Sequence, residues 1–295
     1  YATVAENGCG NCHRPHTAAT HQRLLRWGNE EDNCLVCHGG EVATASDIAA
    51  ELTKIYRHPV ADFLGVHDAA EDFKDPGGVS RHVECADCHN PHQAKAGSHA
   101  AAGSWYPTTP SNLISSSGPL TGVTGVEPSW PGRWTQPTTF TTQESATKEY
   151  QICFKCHSYW GLGAATSGVS THTLTNYGTM KATDQAGEVN PYNRAAHPVV
   201  MTANEMLALG SRYAAPIPAA ALQPPWNTNV GNQTMMCSDC HGADDEAGSD
   251  PKGPHGSSVK FMFKGVYKNW PDGPDGSGAL SGNGTNRMYT MDDGF

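Results

Sequence analysis

Five copies of one short pattern restrict what this 295-residue sequence can fold around. They are Cys9-x-x-Cys12-His13, Cys34-x-x-Cys37-His38, Cys85-x-x-Cys88-His89, Cys153-x-x-Cys156-His157 and Cys237-x-x-Cys240-His241. All ten cysteines of the chain lie in these units, so none is left for another purpose. Two thiols three residues apart, followed directly by a histidine, form the attachment pattern for c-type heme. The thiols add across the two vinyl groups of the porphyrin, and the histidine is held beneath the iron. Zinc sites and disulfides also use paired cysteines, but neither requires a histidine after the second. With 15 His among 295 residues, chance would place one there in all five units about three times in ten million. The expected cofactor complement is therefore five heme c.

The remaining composition fits a chain built around such groups. Only 37% of residues are hydrophobic, and the mean hydropathy is −0.51. The chain also holds 32 Gly and 20 Pro, which favour turns over long regular elements. Dividing 295 residues among five units leaves 59 for each. Large flat apolar porphyrins can supply the core that the side chains do not. The expected fold is loop-rich, with a few short helices and minimal strand, wrapped around a stacked array of hemes.

Three segments are expected along the chain. Residues 1–102 form a block with three of the motifs and ten histidines: 13, 16, 21, 38, 58, 67, 82, 89, 92 and 99. Residues 103–147 form a strap rich in Ser, Thr, Pro and Gly, without His or Cys. It is too long for a structureless internal loop. Its Trp105, Tyr106, Trp130 and Trp134 imply packing, and short strands are expected near Leu120–Val126. Residues 148–295 carry the last two motifs and a Gly/Pro-rich tail. Helices are expected from Asp47 to Tyr56, behind an Asp N-cap, and from Thr202 to Leu209, behind a Thr202-x-x-Glu205 capping box.

The second iron ligand decides what such a site can do. An iron with one protein ligand can bind a small substrate, whereas one with two is closed and transfers electrons. Removing the five motif histidines leaves ten for five positions. His58 and His197 share the tripeptide His-Pro-Val, in which Pro fixes the neighbouring backbone. His255 stands in Gly-Pro-His-Gly, where a flat group can approach closely. His16 and His92 follow their motif histidines by three residues. That is too short a span to reach the opposite face of their own heme, so each is expected to serve a neighbouring one. These five are the expected distal ligands, with His82 in reserve. His21, His67, His99 and His172 are expected to face solvent or to sit beside a heme without ligating it. Met235-Met236 is read as packing next to Cys237.

The stretch Cys9-x-x-Cys-His-x-Pro-His, then Leu24-Leu25, then Asn33-Cys34-x-x-Cys-His-Gly resembles the doubled-CXXCH unit of multiheme cytochromes. His82-Val-Glu-Cys-Ala-Asp-Cys-His-Asn-Pro-His and Lys148-Glu-Tyr-Gln-Ile-Cys-Phe-Lys-Cys-His-Ser are similar to extracellular multiheme cytochromes, including those that polymerise into conductive filaments. That resemblance implies electron transfer rather than enzymatic catalysis, a homopolymer as partner, and His16 as the ligand offered to the next subunit. A monomeric electron carrier and a multiheme reductase are the alternatives. Reductases of that kind usually carry a Cys-x-x-Cys-Lys unit, and this sequence has none.

The formal charge is −10. Heme propionates would make it more negative, which disfavours nucleic acid and suits a basic redox partner or a cationic mineral surface. No run approaches eighteen apolar residues, so no membrane span is expected. Heme attachment of this type takes place outside the cytoplasmic membrane. An exported precursor is therefore expected, with Tyr1 read as the mature N-terminus and the location extracellular or, alternatively, periplasmic.

Overall fold

Short helices joined by turns follow directly from the motifs, because a Cys-x-x-Cys unit needs one helical turn and little more. The computed structural model describes residues 4–20, 23–62, 83–97, 118–163, 169–174, 178–193, 196–209, 218–221, 226–244 and 250–264. The expected His21, His67, His82 and His99, with Trp105, Tyr106 and the tail beyond residue 264, lie outside the described residues. The architecture is the loop-rich one expected: among the described residues the helices run nine residues or fewer, and the strands form three two-stranded antiparallel sheets. No described helix is long and apolar enough to cross a membrane.

The chain divides into two units. The first comprises Tyr1–Ala70, His82–Cys85 and His241–Phe295. It holds α1 (Val4–Cys12), α2 (Glu30–His38), α3 (Ile48–Glu51), and β1 (Tyr56–Arg57) paired with β6 (Gly256–Ser257). Helix α2 starts under Asn33, whose amide donates to the Asn29 and Trp27 carbonyls and accepts from the Trp27 N–H. Glu30, Glu31 and Asp32 place negative charge in its first turn, where the helix dipole favours it. Asp47 caps α3 as expected, accepting from the Ala50 N–H at 3.1 Å. The helix nevertheless ends at Glu51 rather than reaching Tyr56. Thr53 and Lys54 tighten the backbone with three-residue hydrogen bonds to Ala50 and Glu51, and the chain then leaves into β1.

Two features lock this corner. A Cβ on Gly256 would collide with the Glu51 carbonyl oxygen. Gly256→Ala should therefore cost about 1–3 kcal/mol, as overpacking does, and loosen the β1–β6 ribbon. Chemical denaturation of the variant checks this. Lys54 meanwhile lies 2.6 Å from Asp250, 2.9 Å from Glu51 and 3.5 Å from Asp244. Burial pulls the Lys54 pKa down, but the Asp250 and Glu51 hydrogen bonds and the Asp244 charge outweigh it, and the net direction is up. A lysine raised on folding stabilises below its ordinary value and loses that contribution as pH climbs through the folded one. The melting temperature should fall above about pH 10.5, and a Lys54→Met variant should lack the part of that fall owed to this group. Thermal scans of both proteins from pH 9 to 12 provide the check.

The second unit comprises Glu71–Arg81 and Ala86–Cys240. The division runs through α4 (Cys85–Cys88) and between Cys240 and His241. Beyond α4 come β2 (Gly125–Pro128) paired with β3 (Phe140–Gln143), α5 (Glu149–Cys153), α6 (Tyr159–Leu162), β4 (Val169–Leu174) paired with β5 (Gly178–Thr183), α7 (Gln185–Glu188), α8 (Ala203–Ala208) and α9 (Cys237–Cys240). The capping box of α8 forms as the sequence implies: Thr202 Oγ1 accepts from the Glu205 N–H, and Glu205 accepts from the Thr202 N–H at 2.8 Å.

Val126, Tyr150, Phe154, Ala186 and Val200 make the larger apolar cluster, and Val123, Ala146 and Ile152 a smaller one. Trp130 packs edge-on to Tyr150 and Phe154, as expected of that segment. Trp134 does not pack. It is 62% exposed, with its backbone in the left-handed region, and its N–H donates to Asn193 at 2.6 Å. His172 lies in β4 opposite Met180.

Candidate heme-attachment sites

Each motif begins on a helix, which fixes its geometry. Cys9 and Cys12 belong to α1, Cys34 and Cys37 to α2, Cys85 and Cys88 to α4, and Cys237 and Cys240 to α9. Cys153 ends α5, and Cys156 follows in the next turn. Residues three apart on a helix share a face, so the two sulfurs of a motif point the same way. The helical hydrogen bond runs on into the histidine, with the His13 N–H donating to Cys9 and the His157 N–H to Cys153.

The imidazoles are oriented from behind. His13 Nδ1 lies 2.7 Å from the Arg23 carbonyl oxygen, His38 Nδ1 3.3 Å from Ser46, His89 Nδ1 3.0 Å from Pro119, and His241 Nδ1 2.9 Å from Phe261. A carbonyl can only accept, so Nδ1 carries a proton and donates, and in the neutral ring the lone pair is then on Nε2. This is the support that metal-ligating histidines receive. Burial holds His241 below the ordinary histidine value, which keeps its ring neutral and able to coordinate. The donor set therefore fits c-type heme, with paired sulfurs on one face of a turn and an imidazole whose Nδ1 is held by a carbonyl, which makes Nε2 the ligating nitrogen.

Two of these carbonyls are delivered by an unusual backbone. Arg23 (φ 57°) and Leu24 (φ 52°) sit in the left-handed region, as do Phe261 (φ 64°) and Met262 (φ 54°). Each such residue costs about 1–2 kcal/mol. Nothing in the residue types announced this.

The sulfurs of successive motifs are neighbours. In the first unit, Cys12 is raised by burial and then by the nearby Cys34 and Cys37. Cys34 and Cys85 share a hydrogen bond that lowers the former and raises the latter. In the second unit, burial pushes the Cys88 thiol up to about 11. Cys153 is raised by its hydrogen bond to Cys237, then by burial, with Cys88 contributing. One carboxylate oxygen of Glu149 and the sulfurs of Cys153 and Cys237 all lie within 4.8 Å of one another. Burial that opposes a thiolate, the form zinc requires, is indifferent to a neutral thioether.

Glu149 was not anticipated. It is buried, and its carboxylate accepts from the Ser238 N–H at 2.7 Å and the Ser238 hydroxyl at 2.6 Å, tying α5 to the Cys-Ser-Asp-Cys turn of α9. The only hint in sequence is its place four residues, one helical turn, ahead of Cys153.

The expected distal ligands fall into two groups. His58 and His255 are brought together beside the β1–β6 ribbon: the His58 N–H donates to the His255 carbonyl, and His58 Nδ1 lies 2.6 Å from the Pro254 carbonyl. His58 therefore carries its proton on Nδ1 as His13, His38, His89 and His241 do. His16, His92 and His197 are exposed on turns. The two His-Pro-Val tripeptides fold alike, the Val60 and Val199 N–H groups donating to His58 and His197. Pro198 accepts from the Met235 N–H, which places His197 beside the approach to Cys237. Met236 is buried, in keeping with a packing role.

Residues 2–43 match the doubled CXXCH motif family (Paired_CXXCH_1). The match spans the first two motifs, from α1 through α2. No curated protein and no solved structure matches the chain. The doubled motif, borne on helices whose histidines are held at Nδ1, supports a multiheme c-type cytochrome that binds heme covalently through its CXXCH units.

Proposed function

We propose that this chain carries five c-type hemes, each closed by two histidines, and conducts electrons through them in the order of the motifs. Bound heme would supply a one-electron Fe(III)/Fe(II) couple at each site. The protein's own part is attachment by the ten cysteines, ligation by His13, His38, His89, His157 and His241, and orientation of the His13, His38, His89 and His241 rings from behind. His16, His58, His92, His197 and His255 are the distal ligands in this reading, and electron transfer, not catalysis, is the activity.

The observation that carries it is the run of neighbouring sulfurs. Cys12 is near Cys34, Cys34 near Cys85, Cys88 near Cys153, and Cys153 near Cys237. Each motif thus has the next beside it, and the third contributes one cysteine to either unit. Intact mass and pyridine hemochrome analysis should give five hemes per chain. Fewer would overturn the count, and a carbon monoxide shift in the reduced protein would reveal an open iron.

The same reading makes the protein an exported, extracellular subunit of a conductive filament, with His16 serving the next copy and other redox proteins or minerals as acceptors. The exposure of His16 on a turn supports that role. Electron microscopy should show uniform fibres that His16→Ala removes. A stable monomer by light scattering would favour a soluble carrier.

A further inference from the structure

Among the described residues, six non-glycine positions have positive φ, and four of these form two consecutive pairs. Both pairs serve a motif histidine in the same way. In the first, the Arg23 carbonyl accepts from His13 Nδ1, the Leu24 carbonyl accepts from the N–H of Arg14, and Leu25 bridges His13 as an antiparallel partner. In the second, the Phe261 carbonyl accepts from His241 Nδ1, the Met262 carbonyl accepts from the N–H of Gly242, and Phe263 bridges His241. The two devices match atom for atom, although one lies ten residues and the other twenty beyond its histidine.

Two residues in succession in the left-handed region turn two consecutive carbonyls toward the same segment, which an extended strand cannot do because its carbonyls alternate in direction. One carbonyl then holds the ring and the next holds the backbone behind it. The histidine is fixed at both its ends.

We infer that Arg23-Leu24 and Phe261-Met262 are a duplicated left-handed clamp that positions the iron-ligating rings of the first and last motifs and thereby sets the reduction potentials of those two hemes. The inference rests on the heme reading proposed above. A ring whose Nδ1 proton is held by a carbonyl is the more basic ligand, and a more basic ligand favours Fe(III). The middle histidines His38 and His89 also meet carbonyls, from Ser46 and Pro119, without this backbone. Among the described residues the paired left-handed backbone thus occurs at the first and the last motif, the two ends of the series.

The test uses the backbone rather than the ligand. Leu24 is 44% exposed, so its side chain can be changed with little packing lost. Isoleucine resists positive φ and glycine accepts it. In the heme-loaded full-length protein, Leu24→Ile should raise one component of a spectroelectrochemical titration by about tenfold in its reduced-to-oxidised ratio, about 59 mV. Leu24→Gly should leave every component in place. Met262→Ile should raise a different single component, and Met262→Gly should leave that component in place. An isoleucine variant that loses one heme while its glycine partner keeps all five supports the clamp equally. Isoleucine variants with full heme and unchanged potentials would overturn it, as would glycine variants that shift or lose heme like their isoleucine partners. Wild-type protein without heme would instead sink the heme reading itself.

Discussion

Produced without heme attachment, the full-length chain should show no cooperative thermal transition and little near-ultraviolet circular dichroism, whereas the heme-loaded protein should show both. The reason lies in where the apolar side chains are. Both clusters of buried hydrophobic residues among the described residues belong to the second unit. The first unit has scattered buried groups such as Leu25, Leu52, Val60 and Val259, and it carries buried Glu30, Glu31 and Glu51 besides. Fixing one residue's backbone costs about 1–2 kcal/mol, and fully burying one Val or Leu returns about 1.5–3 kcal/mol. Isolated side chains on turns and four-residue helices cannot meet that cost. Val36 and Ile55 are exposed in the first unit at 37% and 64%, apolar surface of the kind a porphyrin face would cover. Attachment and folding are then one event, as in metal-dependent small domains. A heme-free chain that melts cooperatively would show that the side chains suffice and would defeat this account.

Local chemistry was legible in the sequence wherever a residue acts on its near neighbours. The CXXCH units announced their own helical turns, Thr202 and Glu205 their box, and the two His-Pro-Val tripeptides their shared turn. Asp47 announced the start of α3 but not its end, because its early stop is set by the pairing of Tyr56 and Arg57 with residues two hundred positions away. The support behind the histidines was illegible for a related reason. It comes from backbone carbonyls, which every residue possesses, and their aim depends on φ angles that Arg, Leu, Phe and Met adopt only under tertiary constraint. Trp134 misled because a tryptophan implies burial, yet its backbone N–H turns inward to the buried Asn193 and its ring stays exposed. Asn193 and Asn190 are themselves fully buried and bind the carbonyls of the turns around them, a role that polar residues do not advertise.

Replacing Glu149 with Gln should raise the reduction potentials of the two hemes nearest it by roughly 70 mV and leave the rest unchanged. A carboxylate oxygen of Glu149 approaches the first sulfurs of two motifs, within 4.8 Å of both Cys153 and Cys237. It is 5% exposed, so water screens its charge poorly. A unit charge on the order of 10 Å from an iron, at an effective dielectric near 20, contributes roughly 1.7 kcal/mol, which is about 70 mV for one electron. The sign follows from charge alone. A carboxylate stabilises Fe(III) over Fe(II), so neutralising it favours reduction and moves the potential up. Ser238 separates this effect from packing. Its N–H and hydroxyl both donate to Glu149, so Ser238→Ala removes one donor while leaving the charge in place. A carboxylate with fewer donors is a harder negative charge toward its surroundings, and the same two potentials should move slightly down. Opposite shifts in the two variants, read by spectroelectrochemistry at low and high salt, would mark an electrostatic role. Shifts in the same direction would mean that Glu149 acts by holding α5 against α9 instead, and that the arrangement of the fourth and fifth motifs, rather than the charge between them, tunes this end of the series.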